Sequence, residues 1–211
     1  MSRDDFGVLS EALALRDRDV VDVGCGDGAL VRRLAAAGAR ALGVEVSEDA
    51  VARARDADPE HPERYLLGGA DALPLEDASV DVAVLMRSLH HVPRERMDTA
   101  FGELRRVVRG EVYIAEPLAE GDFFELMRPV DDETEVRALA QAALERATGF
   151  ERVDTIHYSG TIRLDRFEAF RDMVIAADPE RAARFATLEA DLRVRFEPGD
   201  YTAPMRVDIL R

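Results

Sequence analysis

Apolar and polar positions follow two alternating periods along this chain, and the switches between them outline its elements. Residues 4–16 carry Val8, Leu9, Ala12 and Leu13 near helical spacing, which predicts a short leading helix. Residues 19–24 (DVVDVG) form an apolar run closed by glycine, the pattern of a buried strand. Leu30, Val31, Leu34 and Ala35 share one helical face over residues 29–37, and Gly38 suits the residue that ends such a helix. Residues 40–46 (RALGVEV) read as a second strand. Ser47 then suits an N-cap, with Glu48 and Asp49 where the helix dipole favours negative charge.

The alternation continues with a third strand over 64–68 and a strongly apolar fourth over 80–86 (VDVAVLM). Pro93 fits the first turn of a helix in which Met97, Phe101, Leu104 and Val108 recur at helical spacing, and residues 111–116 (EVYIAE) make a fifth strand. Beyond Pro117 the pattern changes. Helices are expected over 122–127, 133–146, 165–176 and 179–195, with strands over 150–158 and 203–210. Strand–helix alternation of this kind implies an α/β fold, a doubly wound and mostly parallel sheet with helices on both faces. The two late strands are expected to pair at one sheet edge, one of them antiparallel, with the helices between them inserted on the substrate side.

Length and composition narrow the picture. The 211 residues suffice for one substantial domain, and no repeat or Gly/Ser linker divides them. The expected division is a single domain over 1–211, with a ligand-binding core at 17–117, substrate-side helices and a late strand at 118–200, and a final edge strand at 201–211. No apolar run reaches the roughly 20 residues that span a bilayer. The start, Met1-Ser2-Arg3-Asp4-Asp5, is acidic and lacks the apolar stretch of a secretory signal. Cys25 is the only cysteine, so no intrachain disulfide forms, which fits a cytoplasmic protein. The formal charge of -15 argues against nucleic acid or an anionic membrane as partner. Every basic residue is arginine, a composition that high salt or GC-rich coding would each explain.

The candidate chemistry centres on Gly24-Cys25-Gly26-Asp27-Gly28, a glycine turn between the first strand and its helix. Such a turn lies at the carboxyl edge of the sheet, where backbone can approach a ligand closely. Gly24, Gly26 and Gly28 fit G-x-G-x-G, while Gly24, Gly26 and Ala29 also fit the dinucleotide pattern G-x-G-x-x-A. Asp22 and Asp27 suit a cationic ligand better than a pyrophosphate. Glu45, ending the second strand, can accept hydrogen bonds from both hydroxyls of a ribose, a device that nicotinamide enzymes share.

The run from Val20 to Gly28 resembles motif I of class I S-adenosylmethionine-dependent methyltransferases, including the acid two positions before the first glycine. Gly69-Ala70-Asp71-Ala72-Leu73-Pro74-Leu75 is similar to the G-x-A/D-x-LP segment of the type-11 methyltransferase domain family, and Ser88-Leu89-His90-His91-Val92 to its S-x-LHHV stretch. The resemblance covers roughly residues 20–116. It implies a Rossmann-like fold with S-adenosylmethionine as cofactor and S-adenosylhomocysteine as product. Asp22, Gly24, Cys25, Gly26 and Gly28 would shape the methionine end of the site, and Glu45 beside Val46 the ribose. Asp71 would meet the adenine amino group and the Ala72 amide a ring nitrogen, with Leu73 adjoining. Leu85 and Met86 would lie along the methionine moiety.

Methyl transfer from a sulfonium is an in-line displacement, and a base is needed only when the nucleophile arrives protonated. His90 and His91 are the candidates for that role, although adjacent histidines at such a junction also cap helices or pack beneath ligands. His157 and Tyr158 are further pocket candidates. Arg87, Arg128, Arg137 and Arg163 could hold an anionic acceptor or simply pair with neighbouring acids. No Asp…Asp-Asn set for magnesium, no N/D-P-P-Y/F segment and no Pro-Cys nucleophile is present. The expectation is therefore a small-molecule acceptor and no metal. A non-catalytic cofactor-binding regulator and a nicotinamide oxidoreductase are the alternatives.

Overall fold

The computed structural model describes residues 4–211; Met1, Ser2 and Arg3 of the acidic start lie outside the described residues. Five strands follow the expected order: β1 (Asp19–Val23), β2 (Arg40–Glu45), β3 (Tyr65–Leu67), β4 (Val80–Met86) and β5 (Val108–Pro117). The late strands are β6 (Arg152–Leu164) and β7 (Gly199–Leu210). They form one seven-stranded sheet in the order β3-β2-β1-β4-β5-β7-β6. Neighbours from β3 to β5 are parallel, and β7 runs antiparallel to both β5 and β6. The order reverses between β2-β1 and β4, which places a crevice at the carboxyl ends of these strands.

The helices are α1 (Asp5–Ala12), α2 (Ala29–Ala36), α3 (Glu48–Ala57), α4 (Arg94–Val107), α5 (Asp122–Met127), α6 (Thr134–Arg146), α7 (Phe167–Ala177) and α8 (Arg181–Arg195). Alternate residues of the central strands feed two cores. Val20, Val82 and Val84 pack with Val31 and Leu34 of α2 and Val51 of α3 on one face. Val21, Val23, Ala83 and Leu85 meet Phe101 and Leu104 of α4 and Leu144 of α6 on the other. The expected N-cap at Ser47 holds, its hydroxyl accepting from the Ala50 amide at 3.3 Å. Gly38 follows α2 at φ +95°, as a helix-ending glycine should.

Three expectations change. The leading helix stops at Ala12 because Leu13 turns extended (φ -129°, ψ 138°), which lets Leu13 and Leu15 both reach the core. Val108 leaves the helical pattern to open β5, paired with Val80. β6 and β7 run well past the expected strands: Ser159 to Leu164 pair with Pro204 to Gly199, beyond the last β5 partner at Met205. This two-stranded ribbon projects past the carboxyl end of β5 and carries α7 and α8. With α5 they enclose a third apolar cluster in which Phe167 meets Phe196 edge to face, Phe185 lies tilted against Phe167 and Phe170, and Phe170 stacks on Phe196. Among the described residues no helix is long and apolar enough to cross a membrane.

Candidate active site

β1 delivers the chain into the glycine turn, where Gly24, Gly26 and Gly28 adopt φ of +80°, +55° and +76°. A Cβ on Gly24 would lie 2.5 Å from the Ser88 Cβ and one on Gly28 2.4 Å from the Tyr65 ring, whereas nothing stands within 4 Å of Gly26. Packing therefore fixes the outer glycines and leaves Gly26 facing open space. The turn is tied to β2: the Gly24 and Cys25 amides donate to the Val44 carbonyl at 2.8 and 3.2 Å. Glu45 continues this clamp, one carboxylate oxygen accepting from Gly26 N and the other from Ser47 N, each at 3.0 Å. A carboxylate offers about four lone-pair sites, so capacity remains for two ligand hydroxyls.

Around the turn lies a cleft of about 570 Å³. Gly24, Gly26, Glu45, Val46, Asp71, Leu85 and His91 line it, joined by Gly68–Ala70, Arg87, Ser88, Val92, Pro93 and Arg96, which the motif reading had not assigned to the ligand. Val46, an apolar side chain 74% exposed, forms part of the cleft wall. Asp71 stands 3.3 Å from the Arg96 guanidinium, a partner that a ligand amino group would have to share.

The other expected residues lie behind the wall. Asp22 is buried beneath the turn, and burial, then the Glu45 carboxylate, push its pKa up to about 7. Cys25 is buried and points away from the cleft, a Cβ on Gly43 falling 2.6 Å from its sulfur. Burial, Asp22 and Glu45 push its thiol up to about 12, which removes it as a nucleophile. Gly28 backs onto Tyr65. The Ala72 amide closes a turn onto the Gly69 carbonyl at 3.1 Å, and Leu73 is buried with its amide on Glu103 at 2.9 Å, so neither amide is free in this arrangement. Met86 packs half-buried against the β-sheet core.

The two histidines separate. They sit on a 3-10 turn, Leu89–His91, that follows β4. His90 is 5% exposed, and its Nδ1 lies 2.5 Å from Oε2 of the fully buried Glu116, whose Oε1 accepts from the Leu89 amide at 2.8 Å. His91 lines the cleft with its ring centroid 4.1 Å from that of His90; loss of solvation and then the neighbouring His90 imidazole hold its pKa below the ordinary value. Glu116, near the end of β5, has one signal in the sequence, an acid that closes the apolar run Val112 to Ala115.

A second cavity, about 260 Å³, lies between the sheet and the α5–α8 cap. Phe123, Met127, Ile162 and Met173 give it apolar walls, and Glu133, Arg137 and Arg181 a polar side. Arg87 borders both spaces. It holds a left-handed φ of +58° and pairs with Asp5 at 3.0 Å, where Asp5 also accepts from the Tyr158 hydroxyl at 2.6 Å. Burial and Asp5 push the Tyr158 phenol up, out of the range of a base. His157 is exposed on the outer strand, away from either space. Arg128 and Arg163 are exposed and paired with Glu125 and Asp165, while Arg137, largely buried at this cavity, is paired with Glu133.

Comparison with known proteins fits this geometry. The family described as "Methyltransferase domain" matches residues 21–115. A Mycolicibacterium smegmatis protein named "probable S-adenosylmethionine-dependent methyltransferase" is 30% identical over 96% of this chain and 82% of its own length. The chain belongs to the class I S-adenosylmethionine-dependent methyltransferase family. The 27-O-demethylrifamycin SV methyltransferase of Amycolatopsis mediterranei is 33% identical over 63% of this chain, but the match spans only 49% of that enzyme. The chain thus spans a half or less of the first curated relatives it matches. A solved protein of Bacillus halodurans, classed provisionally as a methyltransferase, shares the fold with a TM-score of 0.68 at 18% identity over 98% of each chain.

Proposed function

We propose that this methyltransferase-family chain, acting in a cytoplasmic setting, transfers a methyl group from S-adenosylmethionine to a small-molecule acceptor held under the α5–α8 cap. The observation that carries the reading is the open cleft at Gly26, bounded by Glu45 and the exposed Val46 and joined through Arg87 to the apolar cavity. The residues present suit the cofactor. Glu45 would take the ribose hydroxyls, Val46 would lie against the adenine, and Asp71 would draw the adenine amino group, exchanging part of its Arg96 contact. Gly24 and Gly26 would bring backbone against the methionine end, with Leu85 beside it. Asp22 would act from beneath, its charge favouring a cationic ligand through the turn rather than by touching it. Cys25, Gly28, Leu73 and Met86 would support the wall.

When bound, S-adenosylmethionine supplies a methyl carbon already activated by the adjoining sulfonium. The chain's own task is alignment, which contributes roughly 7–11 kcal/mol in well-oriented reactions. His91 is the histidine placed to meet an acceptor proton, and His90 is held beneath it by Glu116. Residues 17–117 would bind cofactor, 118–200 shape the acceptor, and 201–211 complete the sheet.

The test is product formation: S-adenosylhomocysteine measured by mass spectrometry across oxygen, nitrogen, sulfur and carbon nucleophiles of small size. Turnover on at least one class, lost by more than tenfold in Glu45→Ala, is expected. Tight cofactor binding without turnover on any class would contradict the proposal.

A further inference from the structure

His90, His91 and Glu133 each offer one ligating atom, and these atoms all lie within 4.8 Å of one another. Glu133 directly precedes α6, far along the chain from the histidines, and only the fold brings it to them. From these positions we infer a binding site for a first-row divalent transition cation, held by two imidazoles and one carboxylate between the cofactor cleft and the acceptor cavity.

The outer contacts are those that metal ligands require. The Glu116 carboxylate oxygen 2.5 Å away takes His90 Nδ1 as its donor, so Nε2 is the ring nitrogen left for a ligand. A buried carboxylate behind a histidine is the arrangement that fixes the tautomer and raises the basicity of a metal ligand. Glu133 is oriented in the same manner: its Oε2 accepts from Arg137 Nε at 2.9 Å and Nη2 at 2.6 Å. Its Oε1 has Arg181 no nearer than 3.9 Å, beyond hydrogen-bond reach, while Arg181 itself pairs with Asp131. One carboxylate oxygen therefore stays available. Two nitrogens and one oxygen favour zinc, cobalt, manganese or iron over magnesium, which prefers all-oxygen shells.

The placement gives such a cation a role that rests on the methyl-transfer reading. His91 borders the cofactor cleft and Glu133 the cavity under the cap, so a cation held by both would lie where the two spaces meet. With a cation bound, His91 would serve as ligand rather than as base: the cation would lower the pKa of an acceptor hydroxyl, its proton would pass to solvent, and its oxygen would bond to the methyl carbon as the carbon–sulfur bond breaks.

Metal binding is testable without cofactor or substrate. Chelator-treated protein titrated with Co²⁺, followed by visible absorption and calorimetry, should bind one ion with d–d bands of a nitrogen-containing site. Glu133→Gln, which keeps the side-chain shape, should weaken binding at least tenfold, and so should His91→Ala. Glu116→Gln, acting through His90, should weaken it by 10- to 100-fold, as lost outer-shell partners do. Circular dichroism melts show whether each variant is folded, and a separate S-adenosylhomocysteine titration of Glu133→Gln reports on the cofactor reading alone. Absence of stoichiometric Co²⁺ binding to the parent would overturn the inference. So would equal affinity in folded Glu133→Gln and His91→Ala, or Mg²⁺ binding as tightly as Co²⁺.

Discussion

Burial beneath the glycine turn leaves Asp22 titrating at about 7, raised also by Glu45, so neutral pH divides its two charge states. In the unfolded chain this carboxyl ionises near 3.8, and between the two values the folded state binds the extra proton. The group's contribution to stability is full below the unfolded value and falls as pH rises through about 7. Asp22→Asn lacks that loss. Its melting temperature relative to the parent should therefore rise between pH 5 and 8, and a difference independent of pH would contradict the account. Cofactor binding should move oppositely: affinity for cationic S-adenosylmethionine should increase from pH 6 to 8 in the parent and flatten in Asp22→Asn. Across the cleft, Asp71→Ala should lower S-adenosylhomocysteine affinity about tenfold, the size of one charge-assisted hydrogen bond. Unchanged affinity by calorimetry would remove the adenine assignment.

At the scale of elements, the ribbon of β6 and β7 with α5, α7 and α8 forms an apolar unit of its own over the cavity proposed for the acceptor. Phe170 is fully buried at its centre. Phe170→Ala should cost about 3–5 kcal/mol in that unit and raise acceptor KM, while leaving S-adenosylhomocysteine affinity near the parent value. A parallel collapse of cofactor affinity, seen in the same titration, would show that cap and cleft are not separable. The central strands were legible because strands buried on both faces read as continuous apolar runs, as in Val82 to Leu85. The outer halves of β6 and β7 were not. Ser159, Gly160 and Thr161 interrupt the apolar pattern before Ile162 and Leu164 turn toward the third cluster, and those residues pair chiefly with one another. Leu13 and Leu15 likewise sit at spacing two, which helical counting does not register. The cleft was legible where local motifs build it, at Gly24, Gly26, Glu45 and Asp71. Glu116, Arg96 and Glu133 come to the site through sheet closure and helix packing, and no local spacing announces them.

For the whole molecule, the charge of -15 sets the response to salt. Arginines bridge acids at the amino ends of the central strands, as Arg109 does with Asp19 at 3.0 Å and Asp81 at 2.9 Å. Exposed pairs of this kind each contribute about 0–1 kcal/mol, less than the long-range repulsion that such an excess of acid produces. Raising sodium chloride from low to molar concentration should therefore raise the melting temperature, and a fall would mean that the local pairs dominate. The same acidity, together with the open Gly26 and the Glu45 carboxylate, separates a ligand carrying positive charge from one carrying pyrophosphate. The most direct measurement of that choice is calorimetric titration of the folded protein with S-adenosylhomocysteine and, separately, with NAD and NADP. The account predicts saturable one-to-one binding of S-adenosylhomocysteine and none of either dinucleotide. Dinucleotide binding without S-adenosylhomocysteine binding would contradict it.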